Sequence, residues 1–177
     1  MVEKNNKTDL IANEQLLRQL LEEEKIELFR EQFLAIHPYD RAQFYEIIGA
    51  KQRQILYRFL SPGEMADVFE ALDLEDDEYE GFLSEMETSY GAAMLSFMYT
   101  DDAVDVLNEL DENQRESYLE MMDVETVQEI NELLAYPEYT AGAIMTTEYV
   151  SITESSTVRS AMAVLRKKAP DAETIYY

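Results

Sequence analysis

The sequence predicts an all-α fold over most of its length, a helical-repeat superhelix of short α-hairpins whose handedness it leaves open, followed by an incomplete α+β unit. Three observations predict it. Ile48, Leu60, Leu72, Met86, Met98, Leu110, Met122 and Leu134 close successive segments spaced 12, 12, 14, 12, 12, 12 and 12 residues apart. Each segment opens on turn or cap chemistry and ends in an apolar pair or triplet. Within segments the apolar residues fall three and four apart, as in Ala66, Phe69 and Leu72, or Ala103, Val106, Leu107 and Leu110, which is the spacing of one helical face. Helices of about ten residues cannot bury such faces alone and must stack on neighbours. Two segments make a 24-residue helical pair, within the range of solenoid repeats. An irregular helical bundle is the alternative.

In chain order, a leading helix is expected over about Leu10–Lys25 and a second over Ile26–Ile36. The later openers are His37-Pro38, Ser61-Pro62, Asp73, Thr100-Asp101, Asp111 and Asp123. Ser61-Pro62-Gly63-Glu64 is the most legible: a Ser N-cap, Pro at the first helical position, and a Glu able to reach back. The two-residue excess falls at Leu74–Glu80, an acidic run expected to form a longer loop. After Tyr136-Pro137 the texture changes. Tyr149–Ile152 reads as a short strand, Ser155-Ser156-Thr157 offers caps for a helix from Val158 to Lys168, and Thr174–Tyr177 begins a second strand. Strand–helix–strand alone is not a stable domain, so this end reads as the start of one. The division is therefore residues 1–134, a linker over 135–148, and the incomplete unit over 149–177.

Charge is the other strong signal. The chain of 177 residues carries a net charge of −24, and Glu64–Leu134 alone holds 23 acidic side chains against one basic, Arg115. The flanks are nearly balanced. Concentrating that charge in a folded unit costs free energy through self-repulsion, which cations would relieve. The same balance argues against nucleic acid and against an anionic membrane surface. Hydrophobic residues make up 46%, enough for a core, and no apolar run approaches the roughly 20 residues that cross a bilayer. The polar N-terminus offers no secretory signal. With no cysteine there is neither a disulfide framework nor a thiolate metal site.

No nucleophile–base set and no phosphate-cradling glycine loop is present, so no catalytic residue is assigned and the chain is not read as an enzyme. His37, the one histidine, sits before Pro38 at a helix start and reads as structural. Met94, Met98, Met121 and Met122 fall at helical spacing and read as core. The candidate metal ligands are Asp101, Asp102 and Asp105: Asp101 and Asp105 stand four apart on one helical face and can share a hard cation or its water shell. Against this, Asp101 and Asp102 also suit the positive end of a helix dipole with no ion present.

Tyr136-Pro137-Glu138-Tyr139-Thr140-Ala141-Gly142-Ala143-Ile144-Met145-Thr146-Thr147-Glu148-Tyr149-Val150 resembles the junction in MgtE-type magnesium transporters, where an acidic helical domain runs into the first of two CBS modules. Ala169–Tyr177 is similar to the region entering the next strand of that first CBS module. The helical repeat alone is less specific, since flagellar rotor switch proteins share it. The resemblance implies the cytosolic, magnesium-sensing part of a homodimeric transporter at the cell membrane. In it, Mg2+ bridging the helical domain, the CBS pair and a connecting helix holds the pore closed. The remaining CBS, connecting-helix and membrane domains would then be partners of this segment, which by itself would have no pore. The resemblance favours Asp101 and Asp105 as ion ligands, adds Asp67, and places Tyr177 beside an adenosine-nucleotide pocket of the complete CBS module, where a plain core tyrosine is the other reading. The competing functional reading is an acidic scaffold that recruits a basic protein without sensing ions.

Overall fold

The computed structural model describes residues 13–74, 78–137, 140–143, 145–169 and 172. Among these, all regular structure is helical: α1 over residues 13–22, then α2 Ile26–Ala35, α3 Pro38–Ile47, α4 Ala50–Phe59, α5 Pro62–Phe69, α6 Glu78–Ser84, α7 Thr88–Leu95, α8 Thr100–Asn108, α9 Glu112–Leu119, α10 Val124–Leu134 and α11 Val158–Lys168. The twelve-residue rhythm is thus one short helix plus one tight connection. Helices pack most closely on the second helix along: α3 on α5, α5 on α7, α7 on α9, and in the other row α8 on α10. This makes the 24-residue pair the structural repeat.

The caps follow the sequence closely. His37 Nδ1 accepts the Tyr39 N–H. Ser61 and Glu64 close a reciprocal capping box on α5, Asp111 and Gln114 close another on α9, and Asp123 accepts from Glu125 and Thr126 at the start of α10. Such a cap contributes on the order of 1 kcal/mol. The helix over Val158–Lys168 forms with Thr157 as its cap. Glu24, at φ 51°, takes the left-handed position that ends α1, with Lys25 N–H reaching Leu20 O and Glu24 N–H reaching Leu21 O.

Segment-closing residues become the core. Ile48, Leu60, Leu72, Met86, Met98 and Leu110 are all buried, as are Ala66, Phe69, Ala103, Val106 and Leu107. Aromatic rings fill the N-terminal half: Phe29 stacks on Phe33 at 5.1 Å between centroids and meets Phe59 edge-on at 5.7 Å, while Tyr45 meets Phe82 edge-on at 5.0 Å. Gly91 matters for close approach. A Cβ there would lie 2.8 Å from the Tyr118 ring, so the lack of a side chain lets α7 and α9 meet.

Arginines tie the turns together in a way the apolar pattern does not announce. Arg30 donates to Phe59 O at 2.7 Å and forks onto Glu64 at 2.6 and 2.8 Å. Arg53 donates to Ile48 O and forks onto Glu85 at 2.6 Å twice. Arg18 reaches Ile47 O, Arg41 reaches Ile36 O, and Arg115 reaches Leu107 O and Leu110 O. Each guanidinium satisfies carbonyls left over at a helix C-terminus, where the dipole also favours a cation. Partial burial raises the Glu64 carboxyl, but the bonds from Arg30 and Ser61 outweigh it and hold Glu64 below its ordinary value.

Three expectations need correction. Residues 78–80 of the acidic run expected to be loop belong to helix α6, Glu78–Ser84. Met121 is exposed on the surface rather than in the core, because it falls in the turn after α9. Tyr149–Ile152 forms no ladder with any described residue; a strand needs a neighbour for its N–H and C=O groups. The opener Thr100-Asp101 does stand at the start of α8, Thr100–Asn108, although Tyr99 before it gives no side-chain cap. The expected strand at Thr174–Tyr177 lies outside the described residues.

Two substitutions test this packing. Gly91→Ala forces Tyr118 aside and is expected to lower unfolding free energy by roughly 1–3 kcal/mol in urea titration. Arg53→Ala leaves Glu85 half-buried without its cation and is expected to cost about 3–5 kcal/mol by the same measurement.

Candidate functional site

The carboxylates draw together where α8 begins. The residue before this helix is Tyr99, which provides no side-chain cap. The leading amides are taken instead by carboxylates from elsewhere in the chain. Glu70, just past the end of α5, accepts the Tyr99 N–H at 2.9 Å. Glu148, from the segment after α10, accepts the Thr100 N–H at 3.1 Å and the Thr100 hydroxyl at 2.7 Å. Neither contact is visible in local sequence, because the partners lie 29 and 48 residues away. The same helix end carries Asp101 and Asp102 in its first turn.

One N-terminal dipole, worth about half a unit charge, does not offset four carboxylates. Burial is the largest influence on Glu70 and raises its carboxyl; the Tyr99 N–H pulls the other way; the charges of Asp102, Asp67 and Asp101 raise it further, leaving it at about 7. Glu148 behaves oppositely. Its partial burial works against ionisation, but the bonds from Thr100 and Thr147 hold it below the ordinary value, so it is a carboxylate at neutral pH.

The candidate ligands are only partly gathered. Asp101 and Asp102 lie at the α5–α8 seam with Glu70. Asp105 is one turn further along α8, its carboxyl raised by burial. Asp102 and Asp105, with Asp73 and Glu109, also surround Tyr79, whose hydroxyl is raised by burial first and then by those charges. Asp67 lies near Glu70 but is held by Arg41 at 3.4 Å. Among the described residues no group of three or more His, Cys, Asp or Glu side chains is arranged to hold a metal ion. The donor set is all oxygen, the chemistry that suits a hard cation. Tyr177 lies outside the described residues.

Comparison with known proteins decides the family. Residues 36–139 match the model of the MgtE intracellular N domain. The chain belongs to that family. Over 162 residues it is 51% identical to the magnesium transporter MgtE of Enterococcus faecalis, covering 92% of this chain and 36% of the relative. It is 31% identical to that of Thermus thermophilus, covering 91% and 36%. The chain therefore spans about a third of the length of the curated relatives it matches. The crystal structure of the soluble part of a magnesium transporter superposes with a TM-score of 0.89 at 48% identity, covering 94% of this chain and 65% of that one. The cytosolic domain of the Mg2+ channel MgtE in complex with ATP superposes at 0.78 and 29% identity, covering 90% and 65%. The all-helical MgtE N-domain fold is thus shared. No described helix is long and apolar enough to cross a membrane.

The Glu70 environment gives a pH dependence of definite sign. Its carboxyl sits higher in the folded MgtE N domain than in the unfolded chain, so the folded state binds more protons between about pH 4.5 and 7. Its contribution to stability is present at low pH and is lost as pH rises through 7. Glu70→Gln, which still accepts the Tyr99 N–H, should flatten the melting-temperature profile over that interval and raise the melting temperature at pH 8 relative to the parent chain.

Proposed function

We propose that this chain is the magnesium-sensing regulatory segment of a homodimeric magnesium transporter, on the cytoplasmic face of the membrane, and not an enzyme. Residues 1–134 form the acidic helical domain, 135–148 the linker, and 149–177 the beginning of a first CBS domain. The observation that carries the reading is the crowding of Glu70, Asp67, Asp101 and Asp102 at the α5–α8 seam in a member of the MgtE N-domain family. Burial first, and then the charges of Asp102, Asp67 and Asp101, raise the Glu70 carboxyl, and a divalent cation at the seam would offset those charges.

Asp101 and Asp105 on one face of α8, with Asp102 beside them, would hold Mg2+ directly or through its waters, and Asp67 would join when released from Arg41. The remaining oxygens would come from the CBS, connecting-helix or dimer-partner surfaces. Magnesium retains several waters and needs only one or two carboxylates, so a shared and incomplete site fits it. Without the ion, mutual repulsion loosens the helical domain from its neighbours; with it, the surfaces dock and the pore closes. The ion shifts this equilibrium only by its differential affinity for the docked form. The completed CBS module would hold an adenosine nucleotide, with Tyr177 flanking it; a relative's cytosolic domain carries ATP.

The crowded carboxylates are not arranged, among the described residues, as a group of three or more that could hold a metal ion, and this favours a second reading, an acidic scaffold that recruits a basic protein without an ion role. Millimolar MgCl2 should raise the melting temperature of this chain more than NaCl at equal ionic strength, and equal shifts would reject direct divalent binding. In the complete transporter, Asp101→Asn with Asp105→Asn should raise the magnesium concentration needed for closure. A scaffold would close as before.

A further inference from the structure

Between α4 and α7 the stack leaves a cavity of about 310 Å³. It is lined by Gln54, Tyr57 and Arg58 of α4, Glu85 and Glu87 from the turn before α7, and Tyr90 of α7. Its aromatic walls are fixed. The Tyr57 and Tyr90 rings stand 5.8 Å apart between centroids, tilted by 47°. The Tyr90 hydroxyl donates to Leu60 O at 3.0 Å. The Tyr57 hydroxyl lies 2.6 Å from that of Tyr45 and donates to Glu85 Oε2 at 3.4 Å. Both hydroxyls are thus committed to the protein, and the ring surfaces are what the two tyrosines have left to offer. Burial raises both phenol groups, so the rings are neutral at physiological pH.

The charges around the cavity are unevenly spent. Glu85 is neutralised by the Arg53 fork, and Arg58 reaches out to Glu24 at 3.2 Å. Glu87 stands exposed at the N-cap position of α7, yet its side chain makes no cap bond there. The adjoining layer of the stack shows what such a combination recognises. The Arg53 guanidinium lies 4.8 Å from the Phe82 ring centre and 5.6 Å from that of Tyr45, while Glu85 holds it from the side. Two aromatic rings and one carboxylate make a receptor for a flat, weakly hydrated cation. Tyr57, Tyr90 and Glu87 repeat that combination around a cavity wide enough for a small organic ion.

From this repetition we propose that the α4–α7 cavity binds an organic cation, a guanidinium or primary ammonium group, with Tyr57 and Tyr90 as walls and Glu87 as counter-charge. Magnesium does not suit it, because that ion is strongly hydrated and wants an octahedron of oxygens, which rings do not supply. The site is therefore separate in place and in chemistry from the carboxylates at the start of α8. The negative field of the acidic half gathers cations nearby, and the rings select among them. A free alkylamine or guanidine and a lysine or arginine side chain of another polypeptide present the same head group.

Ethylguanidinium, titrated into this chain in chelator, is read by NMR of the tyrosine rings. The buffer holds about 0.15 M NaCl, where exposed charges are screened beyond roughly 8 Å. The expected result is a saturable one-to-one shift of the Tyr57 and Tyr90 resonances, with no response to ethylurea, the neutral isostere. Glu87→Lys and Tyr90→Leu each lower the affinity by about tenfold or more. Glu120→Lys, at an exposed position just beyond α9, stays within about twofold. Absence of a saturable shift, equal binding of ethylurea, or an equal loss in Glu120→Lys overturns the proposal. Should Tyr90→Leu fail to fold, Glu87→Lys decides, and unchanged affinity there overturns it. A blocked Gly-Arg-Gly peptide separates the two sources. Binding at least as tight as that of ethylguanidinium assigns the site to a polypeptide side chain; weaker binding or exclusion assigns it to a free small cation.

Discussion

None of these helices is long enough to stand by itself, and that constraint organises the molecule. From α2 to α11 the helices run from 7 to 11 residues, below the length at which an isolated helix is stable in water. Those of the stack therefore exist because neighbouring helices cover their apolar faces, as α5 does for α3 and α10 for α8, and because something outside the helix completes their ends. Stacking supplies the first condition through Phe29, Tyr45, Leu56, Met65, Met94 and Leu107, all fully buried. Ser61, Asp111 and Asp123 supply the second at the N-termini, and Arg18, Arg30, Arg41, Arg53 and Arg115 supply it at the C-termini.

The two kinds of completion differ in how far the sequence shows them. A Ser or Asp cap and its target lie within three residues, so Ser61-Pro62-Gly63-Glu64 declares itself in the string, and the twelve-residue recurrence of Ile48, Leu60 and Leu72 declares the stack. The arginines act mostly on other helices: Arg30 spans 34 residues to Glu64, and Arg53 spans 32 to Glu85. Their spacing carries no local signal. The acidic run at 74–80 misleads for a related reason, because charge reads as loop whereas Tyr79 and Phe82 pack against the core and hold Glu78–Ser84 helical.

The site follows the same division. Asp101 and Asp105 are legible, since four-residue spacing on a helix needs no tertiary knowledge. Glu70 and Glu148 are not. Their importance comes from the meeting of α5, α8 and the 140–148 segment, which only the fold creates. Thr100-Asp101 looks like a self-capped helix start, yet the cap is delivered from two distant carboxylates. That arrangement is what turns a helix N-terminus into a junction between three parts of the chain.

The arginine clamps also change what the outside world meets. Arg53 and Arg41 have side chains only 11% exposed, and Arg115 is turned onto the Leu107 and Leu110 carbonyls at the end of α8. These cations are consumed in internal masonry, whereas most of the carboxylates between α5 and α10 remain at the periphery. The face presented by that half is thus more uniformly anionic than a formal count suggests. To an approaching molecule it presents a field of one sign, which gathers counter-ions along that surface.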